Sequence, residues 1–270
     1  MPVSSKIVRT VKEVVRTVLP QRVADHTIRG GSLQGAVIHT SWHDYPAAIL
    51  GTTERPLLDW FASNTEPGET WLDIGGHYGY TAIALSKCVG PDGRVFVFEP
   101  VIGTAACLSK TRSLNKLDQL TVVPLALGAE FVLQALDIPT TRGMADSTLN
   151  PGTRAERVFT IALDAIWESI SSPDRAIHGV KIDVQGLELQ VLLGMREQLA
   201  RWNPKLVIEF HRGVDRNEIL ELLASCGYSK AFEPVGGAPR DIIADDISYV
   251  FLPEERACVY SSTRSTTGRN

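Results

Sequence analysis

The sequence predicts an α/β fold in which a doubly wound, mostly parallel sheet is covered by helices. Three observations predict it. Four short apolar runs each lead to an acidic residue: Trp71-Leu72 to Asp73, Val95 through Phe98 to Glu99, His178 through Ile182 to Asp183, and Leu206 through Ile208 to Glu209. Continuous apolar, β-branched runs of this length suit parallel strands buried on both faces. Asp73 to Glu99 and Asp183 to Glu209 are each 26 residues apart, close to one strand–helix repeat of about 30 residues. Helical stretches fill the gaps, at Tyr80 to Val89, Thr104 to Leu114, Leu187 to Trp202 and Val214 to Cys226.

The elements follow in order. Residues 1–50 form an N-terminal extension that opens with an amphipathic helix over Ser5 to Leu19. Its stripe is Ile7, Val11, Val14, Val15 and Val18, set mostly opposite Lys6, Arg9, Lys12, Glu13 and Arg16. Pro20 stops it, and its β-branched content means that outside contact has to stabilise it. Through Arg22 this segment carries a net +4 against −8 for the rest of the chain. Two readings stand: a weak contact of residues 5–19 with an anionic membrane surface, or packing on the main domain, which the absence of Trp or Phe anchors favours at least equally. Residues 21–50 read as irregular. A single domain then spans 51–256, starting with a short helix from Glu54 to Ala62 that turns Leu57, Leu58 and Phe61 inward.

A further strand is expected at Leu120 to Pro124. The 60 residues from Val123 to Asp183 are too many for one strand–helix unit. They read as an inserted hairpin, Phe131–Leu136 with Val158–Ala162, around a polar loop at Arg142–Arg154, followed by a short helix from Asp164. Tyr228–Phe232 and Ile247–Leu252 flank a Gly- and Pro-rich turn and are expected as an antiparallel pair at the sheet edge. Residues 257–270, rich in Ser, Thr and Arg, read as a disordered tail.

Composition excludes several classes. Hydrophobic residues at 44% and charged residues at 21% rule out wholesale disorder. With 27 Lys plus Arg against 31 Asp plus Glu, the chain lacks the basic surplus of general nucleic-acid binders. Cys88, Cys107, Cys226 and Cys258 lie far apart without a Cys-x-x-Cys pair, which argues against a zinc site or disulfide framework and for a reducing, cytoplasmic setting. No run approaches 18 apolar residues, and charges interrupt the first twenty, so neither a membrane span nor a secretory signal is expected.

The strongest local signal is Trp71-Leu-Asp-Ile-Gly-Gly-His-Tyr-Gly-Tyr-Thr-Ala-Ile83, a strand-to-helix turn rich in glycine. A dinucleotide fingerprint starting at Gly75 would need glycines where His77 and Tyr80 stand, so an NAD-dependent oxidoreductase is disfavoured. The pattern present is Asp-x-Gly-x-x-x-Gly, with Asp73, Gly75 and Gly79. Glu99 ends the next strand, placed to accept hydrogen bonds from both hydroxyls of a ribose. A glycine loop without the pyrophosphate pattern, followed by a ribose acid, suits S-adenosylmethionine. Asp73 is expected to accept from that cofactor's ammonium group or from a water holding it.

The chain resembles the FkbM family of S-adenosylmethionine-dependent methyltransferases over most of residues 51–252. The resemblance is carried by Gly51-Thr-Thr-Glu54, Asp73 through Tyr80, Phe98-Glu-Pro100, Leu125-Ala-Leu-Gly128, Leu163-Asp164, Lys181-Ile-Asp-Val-Gln-Gly-Leu-Glu188 and Ile208-Glu-Phe-His211. It implies a class I methyltransferase, Rossmann-like fold and methyl transfer, usually to a hydroxyl of a sugar or other metabolite. The expected cofactor residues are Asp73, Gly75, Gly76, His77, Tyr78, Gly79, Glu99, Pro100, Ala126 and Asp183. Ser147 occupies a loop position similar to the family's serine. One departure is Gln185, where the family usually has Glu, which keeps a non-catalytic cofactor-binding homologue as an alternative.

Lys181, Asp183 and Gln185 alternate and are expected on one strand face. A buried lysine needs a partner, here Asp183, Glu209 or an acceptor group. An alcohol acceptor is a poor nucleophile until its proton leaves. His211 is the expected base, with Glu209, two residues away, orienting it and Asp183 binding the acceptor or the cofactor's amino group. No Asp/Asn/His cluster shows ligand spacing along the chain, so no metal ligand is assigned and metal dependence stays open. The expected partner is a small-molecule or glycan acceptor.

Overall fold

The computed structural model describes residues 18–137, 155–237, 240 and 242–254. Most of the expected N-terminal helix, Ser147 with its polar loop, and the 257–270 tail lie outside these. In chain order the elements are β1 (Ala24–Thr27), β2 (Val37–Thr40), α1 (Pro46–Leu50), α2 (Arg55–Asn64), β3 (Thr70–Ile74), α3 (Tyr80–Val89), β4 (Arg94–Phe98), α4 (Ile102–Leu114) and β5 (Leu120–Val123). There follow β6 (Ala126–Leu127), β7 (Val132–Asp137), β8 (Ala155–Ile161), α5 (Leu163–Ile170), β9 (Gly179–Ile182), α6 (Glu188–Leu193), α7 (Arg196–Trp202), β10 (Lys205–Phe210), α8 (Arg216–Ser225), β11 (Glu233–Pro234) and β12 (Ile247–Phe251).

Seven strands form the main sheet in the order β11-β12-β10-β9-β3-β4-β5. The five strands from β10 to β5 are parallel, and β12 runs against both of its neighbours. The late pair is antiparallel, but β12 lies one place in from the edge and pairs with β10 over five residues. Tyr228 belongs to no strand and forms an isolated bridge to Pro253. The chain runs outward from β3 through β4 to β5, then returns to β9 on the other side of β3. That reversal places a crevice above β3 and β9, where open α/β sheets bind ligands.

Strand side chains alternate between two cores. Trp71, Val95, Val97 and Val207 face one with Phe61, Ile83 and Leu108, so α2, α3 and α4 cover that side. Leu72, Phe96, Ile182, Ile208 and Phe210 face the other with Trp167, Val191, Leu199 and Ile219, contributed by α5 to α8. Double burial is why these strands read as continuous apolar runs rather than alternating ones.

Residues 21–50 correct the sequence expectation of irregular chain: β1 and β2 pair antiparallel, and α1 follows. Ile28 and Ile38 are fully buried beside α2 and α3. The Asn115 side chain after α4 accepts from Val37 N–H and donates to the Val37 carbonyl, completing the edge of β2. Four-residue strands held by a partner 78 positions away carry no readable period. The stretch from Leu187 to Trp202 is two helices, broken at Gly194. The Gly194 carbonyl accepts from Asp164 N–H, and a Cβ there would sit 1.9 Å from the Gly128 carbonyl oxygen. The inserted hairpin is present as β7 and β8, joined by β6 in a separate three-stranded sheet. No helix among the described residues is long and apolar enough to cross a membrane.

Candidate active site

A cavity of about 240 Å³ opens at the carboxyl ends of β3, β4, β9 and β10. The glycine loop forms its floor. Gly75 takes φ 86°, and a Cβ there would lie 1.9 Å from the Asp183 carbonyl oxygen; one on Gly76 would meet Val97 Cγ1 at 2.0 Å. Only glycine lets β3 turn this close to β9 and β4. The turn is pinned to β4, because Gly75 N–H and Gly76 N–H both donate to the Phe98 carbonyl.

Glu99 is held by backbone. His77 N–H donates to its Oε2 at 2.9 Å and Val101 N–H to its Oε1 at 3.0 Å. Burial pushes its carboxyl up to about 7, against the pull of those two bonds and of Lys181. Each oxygen retains a second lone pair for a ligand hydroxyl. Phe98, Leu125, Ala126, Leu127 and Leu136 supply an apolar wall beside it, and Pro100 completes that end.

Of the expected cofactor residues, Gly75, Gly76, His77, Glu99, Pro100, Ala126 and Asp183 line the cavity, and three do not. Tyr78 is 5% exposed and turns its hydroxyl to Asp44. Gly79 starts α3 and packs on Leu108 and Thr111. Asp73 is fully buried beneath the loop, accepting from Thr81 Oγ1 at 2.6 Å and pairing with Lys181 at 3.2 Å. Asp73 thus faces Lys181 and Thr81 beneath the loop rather than the cavity itself.

The other end is built from side chains. Lys181 Nζ lies 3.2 Å from Asp73, 3.5 Å from Asp183, and donates to the Gly75 carbonyl at 3.2 Å. Burial opposes its charge, but Asp73, Asp183, Glu54 and Glu209 outweigh burial and hold the amine above its ordinary value. The expected Lys181–Asp183–Gln185 face ends early, because β9 stops at Ile182 and Gln185 adopts φ 56°. Glu54 (φ 55°) and His77 (φ 48°) share that left-handed backbone, so three such non-glycine residues line one cavity. Strain of this kind persists where the surroundings fix it, and it gathers at functional sites.

His211 departs from expectation. It is 7% exposed and lies outside the lining, behind Gln185. Its Nδ1 is 2.7 Å from Glu188 Oε1, whereas Glu209 comes no nearer than 3.6 Å, to Nε2. Glu188, not Glu209, orients the ring. A Glu188 carboxylate fixes the proton on Nδ1, so in the neutral ring Nε2 accepts from the Gln185 amide at 2.8 Å. The same amide donates to Asp183 Oδ1 at 3.3 Å. A glutamate at 185 could make neither donation. Burial opposes charge on His211, but the Glu188 bond and the Asp183, Glu188 and Glu209 charges raise its pKa. Glu209 does line the cavity; burial, with Asp183 and Glu54 beside it, pushes its carboxyl up to about 7.

Glu188 is the functional residue that the sequence reading missed. It is fully buried in the first turn of α6, also accepting from Gly186 N–H. Its signal was an acid two residues beyond a glycine at the start of a helix packed on the sheet. Ligand atoms of Asp183, Glu209 and His211 lie within 4.8 Å of one another and could hold a divalent cation. Positions 183, 209 and 211 show no ligand spacing because two different strands deliver them.

Residues 73–230 match the model of the methyltransferase FkbM domain, from the glycine loop past Glu209 and His211. The hexuronic acid methyltransferase AglP of Haloferax volcanii is 28% identical over 177 residues, covering 65% of this chain and 70% of that protein. Two solved structures are similar: methyltransferase FkbM of Methylobacillus flagellatus (18% identity, TM-score 0.48, 92% of this chain) and an S-adenosylmethionine-dependent O-methyltransferase of Thermotoga maritima (13% identity, TM-score 0.43, 73% of this chain). The chain spans 60% and 63% of their respective lengths. With the family match covering more than half of the chain, and its parallel sheet reversing at the glycine loop, this protein belongs to the FkbM family of methyltransferases.

Proposed function

We propose that this protein transfers a methyl group from S-adenosylmethionine to a hydroxyl oxygen of a saccharide or a related metabolite. The observation that carries this reading is that one cavity joins Glu99 to Asp183 and Glu209. The name of the Haloferax relative, a hexuronic acid methyltransferase, supports a sugar as acceptor. The Gln185 substitution does not argue for lost chemistry, since its amide serves both Asp183 and His211.

Residues at the first end fit the cofactor. Glu99 offers lone pairs to ribose hydroxyls in a desolvated position, Gly75 and Gly76 let the loop pack tightly on Asp183 and Val97 at the cavity floor, and Phe98, Ala126 and Leu127 form an apolar slot for a base. When bound, S-adenosylmethionine supplies a methyl group already activated by its positive sulfur. The protein's work is then to position the acceptor, exclude water and accept a proton. Asp183 accepts a hydrogen bond from the acceptor. Glu209, facing the cavity and poised near neutrality, takes the hydroxyl proton as the oxygen gains the methyl group. His211, clamped by Glu188, lies 3.6 Å from both carboxylates and holds the Gln185 amide in place from behind.

The test is methyl transfer from a labelled donor to a sugar panel, with calorimetry using S-adenosylhomocysteine and NAD. S-adenosylhomocysteine binding, no NAD binding and label in a sugar ether are expected. NAD binding, or label that base hydrolyses as an ester, overturns the reading.

A further inference from the structure

The acceptor end of the cavity carries a charge pattern that bears on which sugars enter. Its wall holds three carboxylates, Glu54, Asp183 and Glu209, and among the described residues Lys181 is its one permanent cation. That lysine is committed. It is 4% exposed and is shared among Asp73, Asp183 and the Gly75 carbonyl. His211 is turned to Glu188 and lies outside the lining. Carboxylate recognition ordinarily sets an arginine fork or an available lysine against the ligand, and no arginine lines the cavity among the described residues. A ligand carboxylate here would meet three carboxyl groups and, among the described residues, no free cation, in surroundings where reduced dielectric strengthens any repulsion. Glu54 stands out among the three. It leads into α2 in a left-handed conformation, and its carboxylate accepts from the neighbouring Thr53 hydroxyl at 3.5 Å.

We propose that this end of the cavity selects its acceptor by charge, taking a hydroxyl on an uncharged sugar unit and rejecting a uronate, with Glu54 setting the selectivity. This rests on the sugar-hydroxyl reading above and narrows it. Asp183 and Glu209 serve the reaction and cannot be dispensed with, whereas Glu54 has no part in proton transfer. Its charge shapes entry.

The test uses matched acceptor pairs, each a neutral hexoside and the uronate of the same configuration, in the gluco, galacto and manno series. Rates are measured with labelled methyl donor at about pH 8, once in EDTA and once with magnesium. The neutral member is expected to lead in kcat/KM by about thirtyfold or more in both buffers. Glu54→Gln should narrow that ratio at least about fivefold, and Gln185→Glu should widen it. Calorimetry with S-adenosylhomocysteine reports that each variant is folded. If Glu54→Gln does not fold, Glu54→Asn, better suited to left-handed backbone, replaces it. Parity, or a faster uronate, in either buffer overturns charge selection and leaves the sugar reading standing. A ratio unmoved by the folded Glu54 variant overturns the role of Glu54. If no pair is methylated although S-adenosylhomocysteine binds, the sugar reading fails and takes this proposal with it.

Discussion

At the Glu99 end of the cavity a ligand meets the glycine loop after β3 and the turn from β4 into α4, backed by an apolar wall. At the Glu209 end it meets side chains from the start of α2, from β9 and the turn after it, and from β10. The first end works through chain path: two N–H groups hold Glu99, and glycines let the loop turn tightly against Asp183 and Val97. The second works through charge balance, with Lys181 and His211 set among Asp73, Asp183, Glu188 and Glu209. A change at the first end should be felt as affinity. A change at the second should be felt as turnover.

The sharpest way to break this contrast is Glu209→Gln. Turnover should fall at least about a hundredfold, the usual contribution of a general base, with cofactor affinity nearly unchanged in calorimetry. If Glu209→Gln keeps its turnover while His211→Ala loses it, the proton goes to His211 Nε2, and the Gln185 amide must open to let it through. At the opposite end, Glu99→Ala removes a charged hydrogen-bonding partner, a loss of about 1.5–3 kcal/mol or roughly ten- to a hundredfold in affinity. Titration with S-adenosylmethionine should show that loss, and saturating donor should restore most of the turnover. A Glu99→Ala enzyme that binds normally but turns over slowly would merge the two ends.

The same contrast explains what could be read from the chain. Glycine loop, Glu99 and the five parallel strands were legible because each is written in adjacent residues, as a run or a fixed spacing. Lys181 was legible as a buried charge needing a partner, but not its nearest carboxylate, Asp73, which stands 108 positions earlier on the neighbouring strand β3. Glu209 and His211 are two apart, and period-two reasoning paired them. The two do come within 3.6 Å, but β10 ends at Phe210, so His211 leaves the pleat and makes its shorter contact with Glu188 of α6. In the same way β1 and β2 were hidden, because their stabilising contacts lie on α4, not in their own four residues.

Glu188→Gln tests whether that clamp is more than packing. A glutamine carbonyl can still accept from Nδ1–H, so the ring should stay in place, but the charge that raises the His211 pKa is gone. Turnover at its plateau should fall by about tenfold, the scale of one weakened charged hydrogen bond, and the acidic limb of the pH–rate profile should move down. Loss of turnover without any movement of that limb would make Glu188 a packing residue.

The smallest effect expected comes from Gln185→Glu, and its sign is the informative part. A carboxylate base works only when ionised, so turnover should fall as pH drops through the value of about 7 at which Glu209 is held. Because Glu209 and His211 sit 3.6 Å apart, that limb belongs to the pair rather than to either residue. Glutamate at 185 would put a further negative charge beside Asp183 and the imidazole, where an amide now donates to both. Each added negative charge makes the remaining carboxylates harder to ionise and the imidazolium harder to deprotonate. Both effects act in one direction, so the limb should move up by about one unit, a cost of about 1.4 kcal/mol. A matched profile of the two enzymes at saturating donor and acceptor reads this directly. If the limb stays where it is, Gln185 is electrostatically silent, and the acceptor end is governed by shape as much as the glycine-loop end is.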